Sequence, residues 1–284
     1  MRTASLMVGC IFALAGVCSA EWHSHLDTAE LPKHRRDRGT GLPLSSFGTY
    51  IQQGQLIVYP FFEYYYDHDS EYSPNELGQT LDKDFKGKYT ASEVLIFLAY
   101  GFTDRFAIEL EAAYIDATLE KSPDDPTPLA NKTQESGIGD VEGQLRWRWN
   151  KESETRPEFF TYFETVGPTA DKGSLIGTSD WQFKLGSGLV RGYSWGTVTA
   201  RGAMEYDLSE EKIALGEVAL EYLRRLNDRW RAYVGFEGTQ DEVELLTEAQ
   251  WHVSRHAFVK LNSGFGITPK ATDWAPEVGV LFSF

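Results

Sequence analysis

Between residues 55 and 284 the chain alternates apolar and polar positions with a period of two. That period sends successive side chains to opposite faces of a strand. The alternation breaks into about twelve segments of about ten to fourteen residues, at 55–66, 91–102, 105–117, 138–150, 156–166, 179–190, 195–208, 213–226, 229–237, 242–253, 256–267 and 275–284. Several have well separated faces. Phe106, Ile108, Leu110, Ala112 and Tyr114 oppose Glu109 and Glu111, and Val141, Leu145, Trp147 and Trp149 oppose Asp140, Glu142, Gln144, Arg146 and Arg148. Trp230, Ala232, Val234 and Phe236 oppose Arg231, Tyr233 and Glu237, and Val243, Leu245, Thr247, Ala249 and Trp251 oppose Glu244, Glu248, Gln250 and His252.

A soluble sandwich alternates too, with its apolar face inward. Three features favour an all-β transmembrane antiparallel barrel of about twelve strands, with ten or fourteen as alternatives. The polar face is densely charged, and the apolar face ends in aromatics at Trp147, Trp149, Trp230, Trp251 and Phe284, as at a bilayer interface. Tight connections at 103–105, 227–228 and 254–255 alternate with long ones at 67–85 and 120–136, the rhythm of periplasmic turns and external loops. The third feature is Glu277-x-Gly279-x-x-Phe282-x-Phe284. It resembles the assembly signal that the barrel-assembly machinery reads on outer-membrane proteins, an exposed strand ready for edge pairing.

The start of the sequence adds a compartment. Met1-Arg2-Thr3, an apolar run to Val17 and Cys18-Ser19-Ala20 before Glu21 predict a signal peptide over 1–20, with the run too short for a membrane helix. Both cysteines fall inside it, so the mature chain holds no disulfide or thiolate site. Residues 21–53 lack alternation and are read as a periplasmic or lumen-entering extension before a barrel over 54–284, with a short helix near 27–31. Aromatic residues make up 14% of the chain while mean hydropathy is only −0.37, as expected where lipid-facing residues hide among alternating polar ones. The net charge of −15 argues against nucleic-acid binding. The location expected is the outer membrane of a Gram-negative bacterium, in contact with lipid and lipopolysaccharide.

Two stretches carry a resemblance. Ala99-Tyr100-Gly101-Phe102-Thr103-Asp104-Arg105-Phe106, continuing through Ile108-Glu109-Leu110-Glu111, is similar to a "YG-aliphatic-TDR" hairpin, and Ser136-Gly137-Ile138-Gly139-Asp140-Val141, followed by Gln144-Leu145-Arg146-Trp147, to a "GxGD" strand entry. Both resemble outer-membrane proteins of the meta-pathway of phenol degradation family. The resemblance implies passage of small organic compounds across the outer membrane and assigns no binding residues. The structural alternative is that Asp104 bonds amides in a tight turn and the glycines suit a loop-to-strand bend.

Candidate chemistry lies on the inner face. Glu109 and Glu111 fall near the level of Arg146 and Arg148, and Arg201 near Glu221, as cross-strand ion pairs. Arg225 faces Arg231 across a tight turn, and Arg146, Arg148, Arg225 and Arg231 are expected to set ion preference near the periplasmic end. Asp67, Asp69, Glu71, Asp82 and Asp84, then Asp116, Glu120, Asp124 and Asp125, are loop carboxylates that hard cations could take, though they read first as solvated faces. His23-x-His25 supplies two imidazoles without a third ligand. His252-x-Ser254 with Asn262 has the spacing of outer-membrane phospholipases, but Ser254 sits in a periplasmic turn. The expectation is therefore a non-enzymatic barrel without cofactor or metal that passes small solutes. A closed structural or surface-interaction barrel and an outer-membrane lipid hydrolase are the alternatives.

Overall fold

The computed structural model describes residues 30–38, 51–170, 175–178, 180–208 and 212–284. The signal peptide over 1–20, the helix near 27–31 up to residue 29, His23-x-His25 and most of the 21–53 extension lie outside these residues.

Twelve antiparallel strands close into one barrel: β1 (Leu56–Tyr72), β2 (Phe85–Gly101), β3 (Phe106–Glu120), β4 (Lys132–Asn150), β5 (Glu158–Gly167), β6 (Gln182–Tyr193), β7 (Gly196–Asp207), β8 (Lys212–Arg225), β9 (Trp230–Gly238), β10 (Val243–His252), β11 (Ala257–Gly266) and β12 (Trp274–Ser283). Each pairs with its sequence neighbours, and β1 pairs with β12. Val58 lies opposite Phe282 and Phe61 opposite Gly279, and the backbones of Leu56 and Phe284 exchange hydrogen bonds of 3.1 and 2.9 Å. Closure leaves no unpaired edge, which a bilayer would not tolerate.

The faces follow the alternation. Leu110 is 45% exposed and Leu185 65%, whereas Glu109 and Arg146 are buried. So many exposed large apolar side chains make sense only against lipid. Aromatics crown both rims of the outer surface. Trp147, Trp149, Trp195, Trp230 and Trp251 ring the end that carries the tight turns, and Trp181, Phe183, Tyr206, Phe265 and Trp274 ring the other. On β12 ten residue steps separate Trp274 from Phe284, which gives an apolar band of about 25 Å for tilted strands.

Strands β1 to β4 run further outward than alternation alone showed, because polar residues dominate once the wall leaves lipid. Register shifts between Asp67 and Ser70 on β1 and between Ala112 and Tyr114 on β3 mark the change. Above it Tyr72, Phe85 and Leu119 form a small core under Leu77, Leu81, Leu129 and Leu175. The tight turns differ from expectation in one atom. At 103–105 the hydroxyl of Thr103, not the carboxylate of Asp104, accepts the amides of Arg105 and Phe106 (3.1 and 2.9 Å), while Asp104 pairs with Lys151 at 2.8 Å. Asn227 does the same for Arg229 and Trp230, because the side chain that opens a turn is the one that reaches the amides ahead of it.

Candidate functional site: an acid-lined lumen

Twelve strands enclose more space than their side chains must fill, yet less than an open porin. Here the space divides. Toward the rim that carries the tight turns it is packed: Ile51 enters the barrel and joins Ile57, Tyr59, Phe258 and Leu281, while Phe160, Tyr162 and Val190 fill the opposite wall. The short 3-10 turn Lys33–Arg35 lies against β6. Asp37 accepts the backbone amide of Arg225 at 3.1 Å, and Arg38 pairs with Glu152. Burial raises the Asp37 carboxyl above its ordinary range, partly offset by that amide and by nearby arginines. The described part of the extension thus sits at this mouth.

Above the packed tier lies a cavity of about 600 Å³. Among the described residues, eleven carboxylates line it against four cations, Arg146, Lys184, Arg201 and Lys260. The register shows how they are arranged. Glu277, Glu63 and Glu93 lie directly opposite one another across β12, β1 and β2. Glu111 lies directly opposite Glu142 across β3 and β4. Like charges at opposed positions destabilise a sheet, so these rows are not explained by strand pairing.

The cations are engaged on the walls. Arg146 reaches Glu109 at 3.2 Å and also bonds Gln144, and its guanidinium lies over the Phe160 ring. Arg148 reaches Glu158 at 3.3 Å rather than Glu109 or Glu111, and bonds the carbonyl of Asp104. Arg201 pairs with Glu217 (2.5 Å) and Glu237 (2.9 Å), while Glu221 lies opposite Thr199, two positions from Arg201. Lys184 pairs with Glu164 at 3.0 Å, and Lys260 sits between Glu248 (3.4 Å) and Glu277 (3.2 Å). Arg225 and Arg231 do stand opposite each other. Arg225, however, turns to Asp228 in its own turn, and Arg231 donates to the carbonyl of Arg38 at 3.1 Å. Neither lines the cavity. With Arg148 and Arg225 turned to the rim, the wall facing the cavity is predominantly acidic.

Glu277 therefore has a second place. Its carboxylate points inward and is held by Tyr59, Asn262 and Lys260. Gly279 packs beneath the stacked rings of Tyr59 and Phe61, whereas Phe282 and Phe284 stack on the lipid side. Strand parity marked Glu142 as inward but did not single it out, nor Glu63, Glu93, Lys184 or Lys260. Their grouping depends on which residue lies opposite which, and only register supplies that.

The hydrolase pattern is not assembled. His252 contacts Gln250 at 3.2 Å and packs on Phe258, Ser254 accepts the amide of His256 within its turn, and Asn262 bonds Glu277. At the outer rim Asp67, His68, Asp69 and Asp273 converge, with ligand-type atoms within 4.8 Å. Part of that contact is internal, since His68 bonds Asp273 at 2.5 Å and Lys86 holds Asp69 at 2.8 Å.

No protein-family model matches the chain, and comparison with curated proteins returns no match. Solved structures do resemble it. An outer-membrane channel from Pseudomonas putida F1 superposes with a TM-score of 0.62 at 14% identity, covering 86% of this chain and 100% of that one. The fold is that of an outer-membrane β-barrel. The translocator domain of the autotransporter NalP from Neisseria meningitidis follows at a TM-score of 0.53 and 11% identity, over 85% of this chain and 91% of that one.

Proposed function

We propose that this barrel resides in the outer membrane of a Gram-negative bacterium and passes small solutes, with preference for cations and for neutral molecules over anions. The observation that carries the reading is the cavity wall, where, among the described residues, eleven carboxylates stand against four cations that are already paired. Carboxylate rings draw cations into a pore and exclude anions. Small organic compounds, implied by the resemblance to the phenol-degradation family, fit a cavity whose lower wall is Tyr59, Phe61, Leu95 and Phe97. Lipid and lipopolysaccharide are the proposed surroundings, and the barrel-assembly machinery the proposed partner during insertion.

The test is reversal potential in planar bilayers under a salt gradient. Wild-type protein, shown folded by heat-modifiable gel mobility, is expected to favour cations. Replacing Glu63, Glu93, Glu111 and Glu142 by Gln should move the reversal potential toward zero. Anion preference in the wild type refutes the acidic-wall argument. A second reading, a barrel closed by its own contents, is favoured by the tier around Ile51 at the periplasmic mouth. Under that reading the folded protein gives no conductance at all.

A further inference from the structure

Part of the connection between β5 and β6 lies inside the barrel. Its described residues turn down the inner wall of β4. Asp140 accepts hydrogen bonds from the amides of Thr169 (2.9 Å), Ala170 (3.0 Å) and Thr178 (2.5 Å), and from the Thr178 hydroxyl (2.7 Å). Thr169 donates to the carbonyl of Gly139 at 2.9 Å, and Glu135 accepts the amide of Leu175 at 2.8 Å. Between these anchors Ile176 projects inward, 8% exposed, into a cluster with Ala91, Ala117 and Ile115. It lines the cavity at the end opposite Ile51.

A surface connection needs no such attachment, since loops usually run over the outside. The wall is also shaped to receive it. A Cβ on Gly137 would lie 3.1 Å from Ile176 Cδ1, and one on Gly139 would lie 2.7 Å from Ile115 Cδ1 and 3.2 Å from the Ile176 carbonyl oxygen. The "GxGD" stretch thus supplies both a seat and a latch. An apolar side chain set into a polar lumen interrupts the water column there, and a hydrophobic constriction gates by dewetting.

We propose that Ile176 is the outer constriction of the passage and that Asp140 is the positioning residue that seats it, so that together they set the largest solute admitted. The proposal rests on the passage reading above. Asp140 acts on the size limit through the isoleucine that it seats. Its carboxylate replaces water as acceptor for three amides, and charged acceptors make the stronger hydrogen bonds. Losing it leaves those donors to water and unseats the isoleucine.

The experiment uses the full chain refolded into liposomes, with folding verified by heat-modifiable mobility. Osmotic swelling is followed in a series of neutral sugars of rising size, which separates size from charge. Asp140→Ala and Ile176→Gly are expected to admit the larger sugars severalfold faster than wild type. Lys270→Gln, which removes an exposed ion pair with Glu71 (2.9 Å) away from the cavity, should behave as wild type. A second variant guards against misfolding: Ala117→Cys with Ile176→Cys, in the same buried cluster. Its oxidised form should keep the wild-type cut-off even when Asp140→Ala is added, and reduction should release it. Folded variants with an unchanged cut-off overturn the roles of Asp140 and Ile176 while leaving passage intact. Failure of every variant, opened ones included, to admit any sugar or ion overturns both.

Discussion

Lys260 gives the sharpest test of how the lumen is held together. Its ammonium lies 3.2 Å from Glu277 and 3.4 Å from Glu248, and 5.2 Å from the centre of the Tyr59 ring. The three side chains are 7%, 8% and 6% exposed, so water screens them little. Lys260→Met keeps length and apolar volume but removes the charge. Two enclosed carboxylates then face each other, with Glu63 directly opposite Glu277 across β1. Removing one partner of a buried pair costs about 3–5 kcal/mol. The hydrogen bonds Glu277 keeps from Tyr59 and Asn262 favour the lower end, about 3 kcal/mol, or more than a hundredfold in the folding equilibrium. Adding Glu248→Gln and Glu277→Gln should recover most of the loss, since removing the whole network leaves no uncompensated charge. Urea titration in liposomes, read by tryptophan fluorescence and gel mobility, measures both. A cost below about 1 kcal/mol for Lys260→Met, or no recovery in the triple variant, refutes the claim that this trio joins β10, β11 and β12.

Three further outcomes follow from the same geometry. Leu110→Arg, placed in lipid, should destabilise by about 2–4 kcal/mol, whereas Glu111→Gln, its inward neighbour, should cost less; the reverse order in folding titrations means the faces are assigned one residue out of step. Gly279→Val should slow insertion and lower stability, because its Cβ would lie 2.5 Å from the Tyr59 ring and 2.6 Å from Phe61 Cβ, and Tyr59→Ala should relieve it in a time course of the gel shift. At the outer rim the imidazole of His68 holds Asp273 below the ordinary carboxylate range, against the upward pull of burial. Asp273 then binds its proton more weakly folded than unfolded, so its stabilising bond is present at neutral pH and is lost as pH falls through that depressed range. The pair raises the His68 imidazole, so His68 is already protonated there; pepsin cleavage at 267–273 should rise only as pH falls through that depressed range in wild type, and Asp273→Asn should remove that pH dependence.

Much of this molecule is written as a one-dimensional code. A period of two, tight turns alternating with long connections and aromatics at strand ends were enough to place twelve strands and their faces, because every strand of a barrel must solve the same problem of lipid on one side and lumen on the other. Leu110 outward and Glu109 inward needed no partner to be read. The ends of β1 to β4 were less legible, since the lipid constraint stops where the wall enters water and the alternation weakens with it. What tertiary structure alone decided is contact across the barrel. Arg148 could have answered Glu109 or Glu111, and only register and the β4–β5 turn gave it to Glu158. Arg225 looked like a lumen charge until its own turn supplied Asp228. The carboxylate rows at Glu277, Glu63 and Glu93 and at Glu111 and Glu142 exist because strands far apart in sequence align to the residue, and Asp140 meets Thr178 because a loop folds back inside. Periodicity fixes the direction in which a side chain points, but its partners follow from the shear and closure of the sheet, which no single strand encodes.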